Sequence, residues 1–183
     1  MADDNEIIRQ TQAWVRQLIV KYNICPFARR EIEWQSIRYT VWQGNDFEAT
    51  LDTVVAECRL LDRDQDTETT LLMLPDFASF NEFLDLIAVS EQLLSMSGYS
   101  GVYQLAHFHP DYCFAGEQPE DPANYTNRAP FPTLHFLREE SMAGALMKTE
   151  NAEQIPQRNI EFARRKGAEF FKQILADIAA KQN

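Results

Sequence analysis

Apolar positions along residues 4–22 recur at helical spacing. Ile7, Ile8, Thr11, Trp14, Val15, Leu18, Ile19 and Tyr22 share one face, with Arg, Gln and Lys opposite. Asp3 followed by Glu6 predicts a capped start, and Asn23 is placed to end the helix in a left-handed conformation. Cys25-Pro26-Phe27-Ala28 then predicts a new helical turn, with Cys25 at its N-cap and Pro26 at its first position. At residues 36–43 the pattern becomes β-branched and aromatic, which predicts a strand. Gly44-Asn45 turns the chain, and Asn45 with Glu48 predicts the cap of a second long helix whose apolar face holds Phe47, Leu51, Val54, Val55, Cys58 and Leu61. A short apolar strand is predicted over 69–74, ended by Pro75. Ser79 and Glu82 then open a third helix, packed through Phe80, Phe83, Leu84, Ile87 and Leu94 and closed by Gly98. Residues 101–107 predict a third strand.

The order strand–helix–strand–helix–strand implies two right-handed crossovers and therefore a mainly parallel sheet of three strands, or four. One α/β domain over residues 1–183, with five or six helices, is the expected architecture; an α+β ferredoxin-like arrangement is the alternative. After Pro130 and Pro132 the helical pattern resumes through Leu146, interrupted near Ser141, and residues 156–180 predict a last helix with Pro156 in its first turn.

Composition narrows the classes of function. The chain has 45% hydrophobic residues and 183 positions, enough for a substantial core. Its net charge of −11 opposes nonspecific binding to nucleic acid or to an anionic membrane, so neither is an expected partner. The three cysteines, Cys25, Cys58 and Cys113, form no C-x-x-C pair, which argues against a disulfide framework and for a reducing cytoplasm. The acidic N-terminus lacks a signal-peptide pattern, and no apolar run approaches the ~20 residues of a membrane span.

Candidate chemistry concentrates in residues 107–139, which contain all three histidines. The stretch up to Pro130 has no periodicity, and a loop of more than about 12–15 residues is usually functional or disordered. It also leaves the end of a predicted strand, where open α/β sheets place ligand sites. His107 and His109 fall on one face of that strand. With Asp111 they make a candidate divalent-metal set or, without metal, an acid–base group in which the carboxylate orients an imidazole. Asn124, Asn127 and Arg128 before a Pro-started helix predict a grip for a small anion. His135, Arg138 and Glu139 at helical spacing would face the same cleft, so His135 and Arg138 join the candidate substrate-binding set; His135 as a core histidine is the competing reading. Cys25 at a helix N-cap is a candidate reactive thiol, against which stands a buried small side chain between Ile24 and Phe27.

Four stretches carry a resemblance. Asn23-Ile24-Cys25-Pro26-Phe27-Ala28, His109-Pro110-Asp111-Tyr112, Asn124-Tyr125-Thr126-Asn127-Arg128 and Leu134-His135-Phe136-Leu137-Arg138-Glu139 look like a bacterial single-domain family of unknown function. The resemblance covers nearly the whole chain. It implies a bacterial protein in one domain and transfers no activity, cofactor or catalytic residue.

Three readings follow. The first is an enzyme that binds an anionic metabolite at Arg128, with His107, His109 and Asp111 supplying acid–base or metal chemistry. The second is a non-catalytic ligand- or partner-binding module, and the third is thiol chemistry at Cys25. The first requires His107, His109 and Asp111 to converge in one concave pocket with a solvent-accessible histidine.

Overall fold

Four strands make one mixed sheet in the order β1-β2-β4-β3, formed by β1 (Ile37–Val41), β2 (Thr69–Met73), β3 (Tyr103–Phe108) and β4 (Thr133–Arg138). The computed structural model describes residues 3–180. β1 and β2 pair in parallel, while β4 runs antiparallel to both β2 and β3. The first three strands therefore point the same way, as their connections predict, but β4 inserts between β2 and β3. This corrects the expectation of a mainly parallel sheet, because only the β1–β2 pairing is parallel.

β4 also corrects the helix expected from Pro132 onward. Leu134 and Phe136 are fully buried on one face and alternate with His135 and Leu137 on the other, a period of two that suits a strand. Ladders with β2 and β3 satisfy this backbone from both sides, so a helix has no hydrogen bonding to add. Helix α5 (Glu139–Met147) begins only where that pairing ends.

Helices cover both faces. On one side α3 (Phe47–Arg63) and α4 (Phe80–Met96) pack Val54, Cys58, Leu61, Phe83 and Leu86 onto Leu72, Leu105, Leu134 and Phe136. On the other, Leu71 and Met73 meet Ile7 and Trp14 of α1 (Asp4–Trp14), Val15, Leu18 and Ile19 of a π-helical turn (Val15–Val20), and Phe171 and Ile178 of α7 (Ala168–Ala180). Each of the large buried side chains, such as Trp14, Phe83, Phe136 and Phe171, contributes on the order of 2–3 kcal/mol.

Most expected boundaries hold, for local reasons. The Asp3 carboxylate accepts from the Glu6 N–H at 2.8 Å, and Ser79 accepts from the Glu82 N–H. Asn23 takes the left-handed conformation (φ 55°), as does Gly98 (φ 85°) after α4. The cap of α3 is Asp46 rather than Asn45, because its carboxylate reaches the Ala49 N–H at 2.7 Å. α2 (Ala28–Glu33) starts after Phe27, so Cys25 and Pro26 lie in the turn before it. The expected last helix is two, α6 (Ile155–Lys166) and α7, divided at Gly167 by its positive φ of 79°. Seven α-helices result among the described residues, against the five or six expected. None of the helices described is long and apolar enough to cross a membrane.

Candidate functional site

His109, Asn124 and Arg128, in the loop between β3 and β4, spend their side chains on backbone groups. His109 is fully buried; its Nε2 bonds the Phe77 carbonyl at 3.2 Å and its Nδ1 accepts from the Asp111 N–H at 3.0 Å. That pairing assigns the proton to Nε2 and leaves no ring lone pair for a metal. Phe80 and Phe83 pack on the ring at 5.1 and 5.4 Å, and burial holds its pKa below the ordinary histidine range. His107 falls on the same side of the sheet, as its spacing predicts, and packs beside Phe83 and Tyr112. Asp111 is exposed and meets His109 through its backbone N–H. Among the described residues no three His, Cys, Asp or Glu side chains come together as a metal would need, so His107, His109 and Asp111 are not a ligand set.

The expected anion grip is likewise turned inward. Asn124 is buried, with Oδ1 accepting from the Phe114 N–H at 2.9 Å and Nδ2 donating to the Gln118 carbonyl at 2.8 Å. The Arg128 guanidinium donates to the Tyr112 and Pro119 carbonyls at 3.1 and 2.8 Å and lies over the Tyr125 ring. The Asn127 carbonyl accepts from the His109 N–H. Glu117 and Asp121 pair with Arg164 of α6, not with Arg128. No helix starts after Arg128; the chain passes from a 3-10 turn (Pro122–Thr126) to β4.

A different concavity lies on the α1 side of the sheet. It is an apolar cavity of about 220 Å³ bordered by Trp14, Val15, Ile19, Cys25, Phe108 and His135. Its floor is one row across three strands, Leu71, His135 and Ala106, set side by side by the register of β2, β4 and β3. Small side chains leave the space: Ala106 from the sheet, Ala28 from α2 and Ala145 from α5. Ser141 and Met142 of α5 close it from another side, and α5 itself has no buried residue. The π-helical turn supplies Val15 and Ile19 to the wall; such turns occur frequently at functional sites.

His135 is the polar group at the centre of this wall. Its ring makes no hydrogen bond among the described residues, and Phe108 packs beside it with ring centroids 6.1 Å apart. Its side chain is half-buried against the apolar wall, and desolvation there pushes its pKa from 6.5 down to about 4. The imidazole is therefore neutral at physiological pH. Trp14 packs edge-on against Phe108 at 5.0 Å, and its buried indole N–H has no acceptor among the described residues. Burial pushes the Cys25 thiol pKa up, and the nearby Phe27 and Ala28 N–H groups offset this only in part. That direction favours the reading of Cys25 as a packed small side chain over that of a reactive thiol.

Three of the charged groups at the cavity, Arg30, Glu31 and Arg138, already have partners. Buried Glu31 accepts from Arg30 and from the Ser36 hydroxyl, each at 2.6 Å. Arg138 donates to the carbonyls of Leu61, Asp64 and Thr67 at 2.6, 3.2 and 3.0 Å and to the Tyr103 hydroxyl, which ties the end of α3 to β4. The face expected to join His135, Arg138 and Glu139 does not form, because a strand sends side chains three positions apart to opposite sides.

The structure thus brings together Cys25 and His135, from the first and last of the four motif stretches, and leaves His107 on the opposite face of β3 and His109, Asp111, Asn124, Asn127 and Arg128 on the loop. Sequence reasoning missed Trp14, Ala106 and Phe108. The available signal was His135 itself, the one titratable side chain on the strand face that also presents Leu137, read once the period of β4 is two.

No curated protein and no solved structure matches the chain. A family profile covers residues 6–173, which includes every residue bordering the cavity. The chain belongs to the family described as Protein of unknown function (DUF1415).

Proposed function

We propose that this protein binds a small organic molecule in the cavity between the π-helical turn, α2, the sheet and α5. One observation carries the reading: a neutral imidazole without a hydrogen-bond partner borders an apolar space of ligand size. An engineered cavity of about 150 Å³ with an apolar lining binds benzene, so about 220 Å³ accommodates a slightly larger molecule. The loop of residues 109–132 supports a different role, as scaffold, because the side chains of His109, Asn124 and Arg128 are committed to backbone groups. The reading is therefore a ligand-binding protein rather than an acid–base or metal enzyme for an anionic metabolite. A reducing bacterial cytoplasm is the setting we propose; three free cysteines and the family resemblance support it.

The test is a titration of the 15N-labelled protein with toluene, followed by amide chemical shifts. Shifts at Val15, Ile19, Ala106 and Ala145 are expected, and Ala145→Trp, which fills the space from a surface helix, removes them. Absence of shifts, or the same shifts in the filled variant, would count against the reading.

A further inference from the structure

The ligand's chemical class is legible in the wall, and this inference rests on the cavity reading above. We infer that the cavity takes an uncharged aromatic molecule with one hydroxyl group, of the phenol class, its ring against Trp14 and Phe108 and its hydroxyl on the imidazole of His135. Size and shape come first. The space exceeds what benzene needs, and two aromatic side chains in edge-to-face contact border it, the kind of surface on which a further ring packs favourably.

Charge comes second. A carboxylate would have to shed its water beside a neutral imidazole, and neither bordering guanidinium is free to meet it. Arg30 is held by Glu31, and Arg138 is spent on three carbonyls and a hydroxyl. Glu68, which borders the cavity and is half-buried, adds negative charge that opposes an anion further. An ammonium would also shed its water beside the neutral imidazole, and Glu31 is already taken by Arg30 and Ser36, which leaves only the half-buried Glu68 at the border to meet it. An uncharged occupant avoids both costs.

Hydrogen bonding selects the polar group. Neutral imidazole has one N–H and one bare nitrogen, which exchange places between its two tautomers. A hydroxyl both donates and accepts, so it pairs with the ring in either tautomer. A ketone or ether can only accept, and pairs with one tautomer alone.

The experiment is calorimetry at pH 7.5 with toluene, phenol, benzoate and benzylammonium on the wild type, His135→Phe and His135→Asn. Phenol is expected to bind about fivefold more tightly than toluene, the worth of one net hydrogen bond, with benzoate and benzylammonium at least about tenfold weaker than phenol. In His135→Phe the preference for phenol over toluene disappears while toluene still binds, and His135→Asn restores part of it. Benzoate or benzylammonium binding as tightly as phenol, or an unchanged phenol preference in His135→Phe, overturns the inference and leaves the cavity reading standing. A wild type that binds none of the four probes overturns both.

Discussion

Acidification tests the environment of His135 without any ligand. In the unfolded chain its imidazole titrates near the ordinary 6.5; in the folded protein it titrates at about 4. Between those values the unfolded state takes up a proton that the native state refuses, so stability is full above pH 6.5 and falls as pH drops toward 4. Over the 1.5 units from pH 6.5 to 5, at about 1.4 kcal/mol per unit, His135 alone costs about 2 kcal/mol. His107 and His109, also lowered by burial, act with the same sign, so the informative quantity is a difference between proteins. Glu6, Asp64 and Asp121 have lowered pKa values, and their contributions are lost only below the ordinary carboxylate range, outside this window. Urea denaturation followed by far-UV circular dichroism at pH 7.5 and pH 5 gives the comparison for wild type and His135→Phe. The gap between them is expected to move by about 2 kcal/mol in favour of the variant at pH 5. Parallel profiles would refute the argument, since they would mean that the imidazole keeps its water and that the cavity is an ordinary wet surface.

Other consequences concern the scaffold. His109→Ala strands the Phe77 carbonyl and the Asp111 N–H and empties a buried site, so a loss of about 3 kcal/mol is expected in urea denaturation, against less than ~1 kcal/mol for His107→Phe. Equal, small effects would restore a functional reading of both histidines. Arg138→Ala removes the donors that hold the end of α3, and about 2 kcal/mol of destabilisation with faster amide exchange at Leu60 and Leu61 is the expected result. Cys25, with its thiol pKa raised by burial, should react with iodoacetamide more slowly than free cysteine at pH 7.5, and more slowly still with phenol present; a faster reaction would revive the thiol reading.

Local chemistry made much of the fold legible. Asp3, Ser79, Asn23 and Gly98 act where their residue types place them, because each caps a helix through its own side chain or backbone and needs no distant partner. β4 was not legible for the opposite reason. Pro130 and Pro132 imitate a helix start, and Leu134, His135, Arg138 and Glu139 fit helical spacing as well as strand alternation. Only the two flanking strands, contributed by segments some thirty and sixty residues earlier, decide between them. The loop misled through chemistry that looked catalytic. A long segment packed against the core must find partners for its own N–H and carbonyl groups, and His109, Asn124 and Arg128 supply them. The cavity joins Trp14, Cys25, Phe108 and His135, four positions that no local pattern connects. It exists because Ala28, Ala106 and Ala145 are small where the elements meet, which becomes visible only after the register of β3 and β4 is known.

The central claim is that this cavity, and not the loop, receives the ligand. A crystal of the protein soaked with 4-iodophenol tests it most directly, since iodine is located by its anomalous scattering. The account predicts one strong anomalous peak within the space bordered by Trp14, Phe108, Ala145 and His135, with the phenol oxygen in hydrogen-bonding distance of the His135 ring. A cavity without the peak, or a strong peak beside His107, Asp111 and Arg128 instead, would contradict it.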